Sequence, residues 1–88
     1  MQTKPRQLMI IKPNNIRGST HGEITAYQDI WKLAEKQRHS LFIDENWHPR
    51  YGLAYNNATR IQSHVIIKLK ELNCTNIRFC EEIIKSNE

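Results

Sequence analysis

Long hydrophobic runs are missing from this sequence. The longest apolar stretches, such as LMII at residues 8–11 and VII at residues 65–67, are far shorter than the roughly 18 to 20 residues that cross a bilayer. The short apolar stretch near the amino terminus is not followed by a small-residue cleavage site, so it does not have the pattern of a signal peptide. We therefore expect a cytoplasmic protein.

Cysteine, glycine and proline are also scarce. The two cysteines, Cys74 and Cys80, are too few for a disulfide framework and are not spaced as a C-x-x-C pair. None of the four histidines stands at metal-ligand spacing from another histidine or a cysteine, so we expect neither a metal site nor a cofactor. With 39% hydrophobic and 25% charged residues, the composition is that of a folded chain.

The 88 residues suffice for a single domain, with residues 1–6 as a basic amino-terminal arm. The net charge is +4, and its excess lies in the first twenty residues, which contain no acid and four cations: Lys4, Arg6, Lys12 and Arg17. A basic arm beside a nearly neutral body suits a polyanionic partner, because each neutralised phosphate releases condensed counterions. Mild basicity that serves only solubility is an equally good explanation.

Two segments have helical periodicity. Residues 21–38 form an amphipathic pattern after a capping box of Thr20 and Glu23, with Tyr27 and Trp31 expected as core anchors and Glu35 on the polar half. Residues 53–72 place their apolar side chains on an arc of about 140°, interrupted only by Gln62, and Asn73 is the expected stop. The competing interpretation of the second segment is a hairpin that turns at residues 56–57.

Three segments are strand candidates: residues 7–12, which end before Pro13, residues 40–43 and residues 75–81. A third helix over residues 76–86 is the alternative for the last one. We therefore predict an α+β fold in which two amphipathic helices cover a small three-stranded sheet; the alternative is an all-α domain of helix-turn-helix type. The uncovered sheet face or an open strand edge could be closed by a second copy, which would give a homodimer.

The polar face of the second helix contains a line of basic side chains. Arg60, His64 and Lys68 recur at every fourth position, so they are expected along one side of the helix, where they could follow a phosphate backbone. The alternative is an ordinary solvated face. Ile67 lies among these polar residues, and an exposed aliphatic side chain there suggests that something covers the surface.

The segment DENWHPRYG, residues 44–52, precedes this helix. Its structural interpretation is a corner, in which Pro49 occupies the first helical turn and Trp47 packs on the core. A catalytic interpretation uses Asp44 or Glu45 as base and His48 as acid, with Arg50 holding an anion. We favour the corner, with Trp47, His48, Arg50 and Tyr51 as candidate contacts for a partner.

Three functional classes follow from these observations. The first is a non-enzymatic nucleic-acid-binding accessory or regulatory protein that uses the basic arm, the Arg60, His64 and Lys68 line, and the corner. The second is a protein-binding adaptor, or an inhibitor of a host protein of the kind that phages encode, acting through Ile67 and the corner. The third is a metal-independent ribonuclease of toxin type.

Overall fold

The computed structural model describes residues 2–42, 49–80 and 83–84, and side chains within 4–42 and 52–79. In chain order, the elements are β1 (Gln2–Thr3), β2 (Gln7–Ile11), α1 (Gly18–Phe42), α2 (Pro49–Glu71), β3 (Thr75–Cys80) and β4 (Ile83–Ile84). The α+β prediction is confirmed, and residues 75–80 form a strand rather than a third helix. Neither helix within the described ranges is long and apolar enough to cross a membrane.

The strands pair as antiparallel ribbons. β1 pairs with β4 and β2 pairs with β3, where Leu8 lies opposite Phe79 and Met9 opposite Arg78. The register shifts before Ile11 pairs with Thr75, so two residues of β3, Asn76 and Ile77, face the single residue Ile10. Asn76 has a φ of 51°, which makes this a bulge in the left-handed conformation that asparagine tolerates.

The predicted three-stranded sheet is wrong. Residues 40–42 form the end of α1, and both sheets in the described part of the chain are two-stranded. The apolar run at residues 41–43 resembled a strand, but Leu41 lies seven positions after the buried Ala34 and therefore continues the inner side of the helix.

The break between β1 and β2 has a local cause. Pro5 has no N–H group to contribute to a strand ladder. The next N–H, that of Arg6, donates to Oε2 of Glu35 at 2.8 Å. Neither Pro5 nor Arg6 therefore donates a backbone hydrogen bond to a neighbouring strand, and the Arg6 N–H instead binds a side chain of α1.

Both helices begin before their predicted limits, and α1 also ends later than predicted, whereas α2 ends at Glu71, one residue before its predicted limit. The capping-box prediction is wrong, because α1 begins at Gly18 and Thr20 lies within its first turn, where the N–H of His21 donates to the carbonyl of Arg17 at 3.0 Å. α2 begins at Pro49, where the missing N–H costs no helical hydrogen bond. Since α2 continues through residues 56–57, the hairpin alternative is excluded.

The end of α2 is a Schellman motif. Asn73 has a φ of 67°, the N–H of Cys74 donates to the carbonyl of Leu69 at 3.1 Å, and the N–H of Asn73 donates to the carbonyl of Lys70 at 2.9 Å. Leu69 and Cys74 also meet in the core, which supplies the apolar contact that accompanies this motif. The predicted stop at Asn73 is confirmed.

We predict that Asn73→Ala lowers the free energy of unfolding by about 1 kcal/mol, because alanine is strained at positive φ. Asn73→Gly is the control, since glycine adopts this conformation freely, and it should stay within about 0.5 kcal/mol of the wild type. Urea denaturation measures both values. An alanine variant as stable as the glycine variant would show that the backbone at residue 73 is not a constraint.

The core lies between the helices and the inner face of the β2–β3 ribbon. Its buried cluster comprises Ile24, Trp31, Val65, Leu69 and Cys74, against which Leu8, Ile10 and Ile77 of the strands pack. Trp31 is buried as predicted, and its ring stacks on Phe79 with centroids 5.4 Å apart. Burial raises the pKa of the Cys74 thiol, and nearby Lys12 partly opposes this effect.

Glu35 is 1% exposed, so its predicted place on the polar half of α1 is wrong. Its carboxylate accepts hydrogen bonds from the Nε and Nη2 atoms of Arg38 at 2.8 and 2.9 Å, and from Nη2 of Arg6 at 2.9 Å. Gln62 of α2 donates through Nε2 to Glu35 at 3.1 Å and to the Trp31 carbonyl at 3.3 Å. The polar interruption in the apolar arc of α2 is therefore the partner of a buried carboxylate.

The pKa of Glu35 shows which contribution dominates its environment. Burial by itself raises the pKa of a carboxyl group, but here the hydrogen bonds from Arg38, Arg6 and Gln62 outweigh burial and hold the pKa well below its usual range. Glu35 is therefore ionised in the folded protein at any ordinary pH.

We predict that Glu35→Gln lowers the free energy of unfolding by about 3 kcal/mol, because it leaves two largely buried guanidinium groups without their counterion. Glu23→Gln, an exposed carboxylate of the same helix, is the control and should change stability by no more than about 0.5 kcal/mol. Denaturant titration measures both.

The pH dependence provides a second readout of the same substitution. Because the folded-state pKa of Glu35 lies below its unfolded value, its contribution is complete above the ordinary pKa and is lost as the pH falls toward the folded value. The stability difference between wild type and Glu35→Gln should therefore narrow between about pH 6 and about pH 3. A constant difference would contradict an ionised, paired Glu35.

Candidate nucleic-acid interface

Residues 2–6 of the predicted basic arm are part of the fold rather than a free extension. Lys4 is exposed, but Arg6 turns inward and its guanidinium carbon lies 5.6 Å from the ring centroid of Trp31 and 5.0 Å from that of Phe79. Arg6 also pairs with Glu35, as described above. The structure thus places this predicted contact residue in an internal ion pair, with its side chain 23% exposed.

Lys12 and Arg17 lie in the segment that connects β2 to α1. Lys12 is half-buried and close enough to Cys74 to affect the pKa of its thiol. Arg17 is exposed and directly precedes α1. Ile24 of α1 and Leu69 of α2 share the core cluster, so the start of α1 adjoins the end of α2.

The predicted line on α2 is present on the outer surface. Arg60 and His64 are exposed, and the Lys68 side chain is 38% exposed, with its Nζ 3.4 Å from a carboxylate oxygen of Glu71. An exposed pair of this kind contributes little to stability and leaves the lysine accessible to another anion. We call Arg60, His64 and Lys68 the basic line.

The two helices differ in charge. α2 contains four cationic residues and one acid, a balance of +3, namely Arg50, Arg60, Lys68 and Lys70 against Glu71. α1 contains three of each sign, a balance of zero, namely Lys32, Lys36 and Arg38 against Glu23, Asp29 and Glu35. The outer surface of α2 is therefore the part of the helical layer that favours an anion.

A crevice of about 360 Å³ lies between the two helices beside the basic line. We call it the helix crevice, and its walls are formed by Tyr27, Ile30, Arg60, Ile61, His64 and Val65. Ile30 and Ile61 belong to the apolar arcs that were predicted to face inward, yet they are 43% and 44% exposed. Each arc is wider than the surface that the other helix and the ribbon cover.

Ile67 faces a different groove. The side chain is 53% exposed, and together with Phe79, Ile66 and Trp31 it lines an apolar groove of about 410 Å³ between α2 and β3. The predicted exposure of Ile67 is confirmed. Its neighbours are this groove and the edge of the ribbon as well as the basic line.

The corner residues provide no geometry for a site. Trp47 and His48, together with Asp44 and Glu45, lie outside the described residues, while Arg50 and Tyr51 lie in the first turn of α2 without described side chains. Within the ranges that are described, no three His, Cys, Asp or Glu side chains come together as metal ligands. The buried carboxylate of Glu35 is saturated by donors, so it is unsuited to act as a general base.

Comparison of this chain with protein-family models, curated proteins and solved structures finds no match. A proposal for its function therefore depends on the chemistry of its surface.

Proposed function

We propose that this chain is a small non-enzymatic nucleic-acid-binding protein that contacts phosphates through the basic line. The observation that carries the proposal is the division of its cations. Arg6 and Arg38 are bound to Glu35 inside the fold, whereas Arg60 and Lys68, with His64 between them in the basic line, lie on the outside of a helix with a balance of +3. Cations placed in this way serve an external anion.

The spacing of the basic line suits a phosphate backbone. Residues four apart in a helix are separated by a rise of about 6 Å, so the line extends over about 12 Å. This length is comparable to the axial advance of several successive phosphates, because each nucleotide of one strand advances a duplex by about 3.4 Å along the helix axis. Such contacts need no acidic or metal-binding group.

We predict that the double variant Arg60→Gln/Lys68→Gln binds oligonucleotides at least tenfold more weakly than the wild type at low salt. The slope of log affinity against log salt concentration should also be shallower by about 2, because each lost phosphate contact removes about one unit of slope. Fluorescence anisotropy with labelled DNA and RNA, over a salt series, measures both quantities.

The matched control is Lys32→Gln/Lys36→Gln, which removes the same charge from exposed positions of α1. It should bind nearly as well as the wild type. Equal losses of affinity in both double variants would show that net charge, and not the basic line, determines binding. A wild-type protein that binds no oligonucleotide at low salt would contradict the proposal.

A protein-binding adaptor or inhibitor is a second candidate, and the groove beside Ile67 favours it. The groove adjoins β3, whose hydrogen-bonded neighbour within the described residues is β2 on one side. An extended peptide could pair with the other edge of β3 and place an apolar side chain against Ile67 and Phe79. Met9 and Ile11 are exposed on the outer face of the β2–β3 ribbon, and a second copy of the chain could cover them, so a homodimer remains a hypothesis.

For the adaptor we predict that Ile67→Asp abolishes capture of a host protein by the immobilised chain, because a carboxylate in the groove would have to be desolvated. Leu33→Asp, at an exposed position of α1, should retain the captured protein. Mass spectrometry of the bound fraction makes the comparison, and a partner retained equally by both variants would exclude this groove.

The ribonuclease hypothesis depends on Asp44, Glu45 and His48 and stays a hypothesis.

A further inference from the structure

The helix crevice combines two kinds of surface. Its lining is mostly apolar and includes Ile30, Ile61, Val65 and Tyr27, which we call its floor; the lining also includes Arg60 and His64, which we call its rim. Phosphate contacts alone would use the rim and leave the exposed isoleucines in water. An occupant that carries both a flat apolar surface and a negative charge would cover both parts of the crevice.

We propose that the helix crevice binds an unstacked base of a single-stranded nucleic acid, while the basic line holds the phosphates on either side of that base. This inference rests on the proposed function and specifies its ligand. A nucleobase has an extended apolar face, and the base and its phosphate belong to the same nucleotide. One nucleotide therefore offers an apolar face to the floor and a negative charge to the rim.

The same geometry disfavours a duplex. In a duplex the bases are stacked and paired inside the two backbones, so only phosphates reach a convex helical surface that does not enter a groove. A single strand can turn a base outward at little cost and stack it on an aromatic side chain. Tyr27, half-buried on α1, is the aromatic residue in the lining of the crevice.

The charge of the surroundings also favours this occupant over an apolar peptide. Arg60 and His64 stand at the rim itself, and Lys68 follows one turn further along α2. A purely apolar segment would bury these groups without giving them a partner, which costs free energy. A strand of nucleic acid provides a phosphate for each of them.

The experiment compares short oligothymidylate and oligouridylate strands with their duplexes, by anisotropy at one low salt concentration. The wild type should bind the single strands at least tenfold more tightly than the duplexes. Tyr27→Leu, which keeps an apolar side chain but removes the ring, should lose about tenfold in affinity for the single strands, with its salt dependence unchanged. Tight binding of either oligothymidylate or oligouridylate supports the inference.

A second variant, Ile61→Gln, changes an exposed helical position and should keep the fold, which circular dichroism and thermal melting can verify. Like Tyr27→Leu, it should weaken the binding of single strands. Leu33→Gln is the control, because Leu33 is an exposed aliphatic residue outside the crevice, and it should leave this binding unchanged. A strand that contains 2-aminopurine reports the base directly, since its fluorescence should change on binding to the wild type and change less with Tyr27→Leu.

The outcomes separate this inference from the proposed function. If Tyr27→Leu and Ile61→Gln bind normally while Arg60→Gln/Lys68→Gln does not, the crevice is not the base site and the phosphate contacts remain. If the wild type binds no oligonucleotide, both proposals fail. If sedimentation shows a dimer that Ile61→Gln dissociates, a second copy of the chain covers the crevice and the inference is overturned.

Discussion

The carboxylate of Glu35 joins three separate parts of the chain. It accepts the backbone N–H and the guanidinium of Arg6 from the amino-terminal segment, the guanidinium of Arg38 from its own helix, and the amide of Gln62 from α2. Arg38 in turn donates to the hydroxyl of Tyr55 at 2.9 Å, which links the same group to a second turn of α2. A buried charge of this kind contributes little net stability compared with a well-packed apolar group, but it is costly to disrupt. We infer that its role is specificity, because an alternative register of the helix pair would remove Gln62 from Glu35, and an alternative register of β2 would remove Arg6.

This interaction also determines which cations remain on the surface. An ion network that uses two arginines for one carboxylate carries a net positive charge inward, and the cation–π contacts of Arg6 with Trp31 and Phe79 help to accommodate it. The cations of α2 whose side chains the structure describes, Arg60, Lys68 and Lys70, have no comparable internal acid and lie at the surface. At the same time, two helices on a narrow ribbon form a thin core, so aliphatic residues such as Ile30 and Ile61 stay partly exposed. The basic line and the helix crevice are therefore two consequences of one packing arrangement.

The sequence predicts the elements whose causes are local. The periodicity of residues 53–72, the stop at Asn73 and the strand near residues 7–12 depend on neighbours within a few positions, and the structure contains a helix, a stop and a strand at these places, the strand over Gln7–Ile11. The burial of Glu35 and the inward turn of Arg6 depend on partners that are 27 to 56 residues apart, and no local pattern encodes them. The one signal was Gln62, a polar residue in the middle of an apolar arc, which marks a position where a buried polar partner is needed. The strand predicted at residues 40–43 failed for a related reason, since a short apolar run does not reveal that it continues the stripe of the preceding helix.

α2 performs two electrostatic tasks on two sides of the same helix. Gln62 contacts the internal carboxylate, while Arg60, only two residues away, lies on the outer surface. Two residues of an α-helix are about 200° apart around its axis, so these side chains point in nearly opposite directions. An anion at the basic line therefore approaches the far side of α2 from Glu35, with the helix backbone between the two negative charges. Binding at the basic line can in this way leave the Arg6 and Arg38 ion pairs intact, and the site that holds the fold together is independent of the surface proposed to bind a partner.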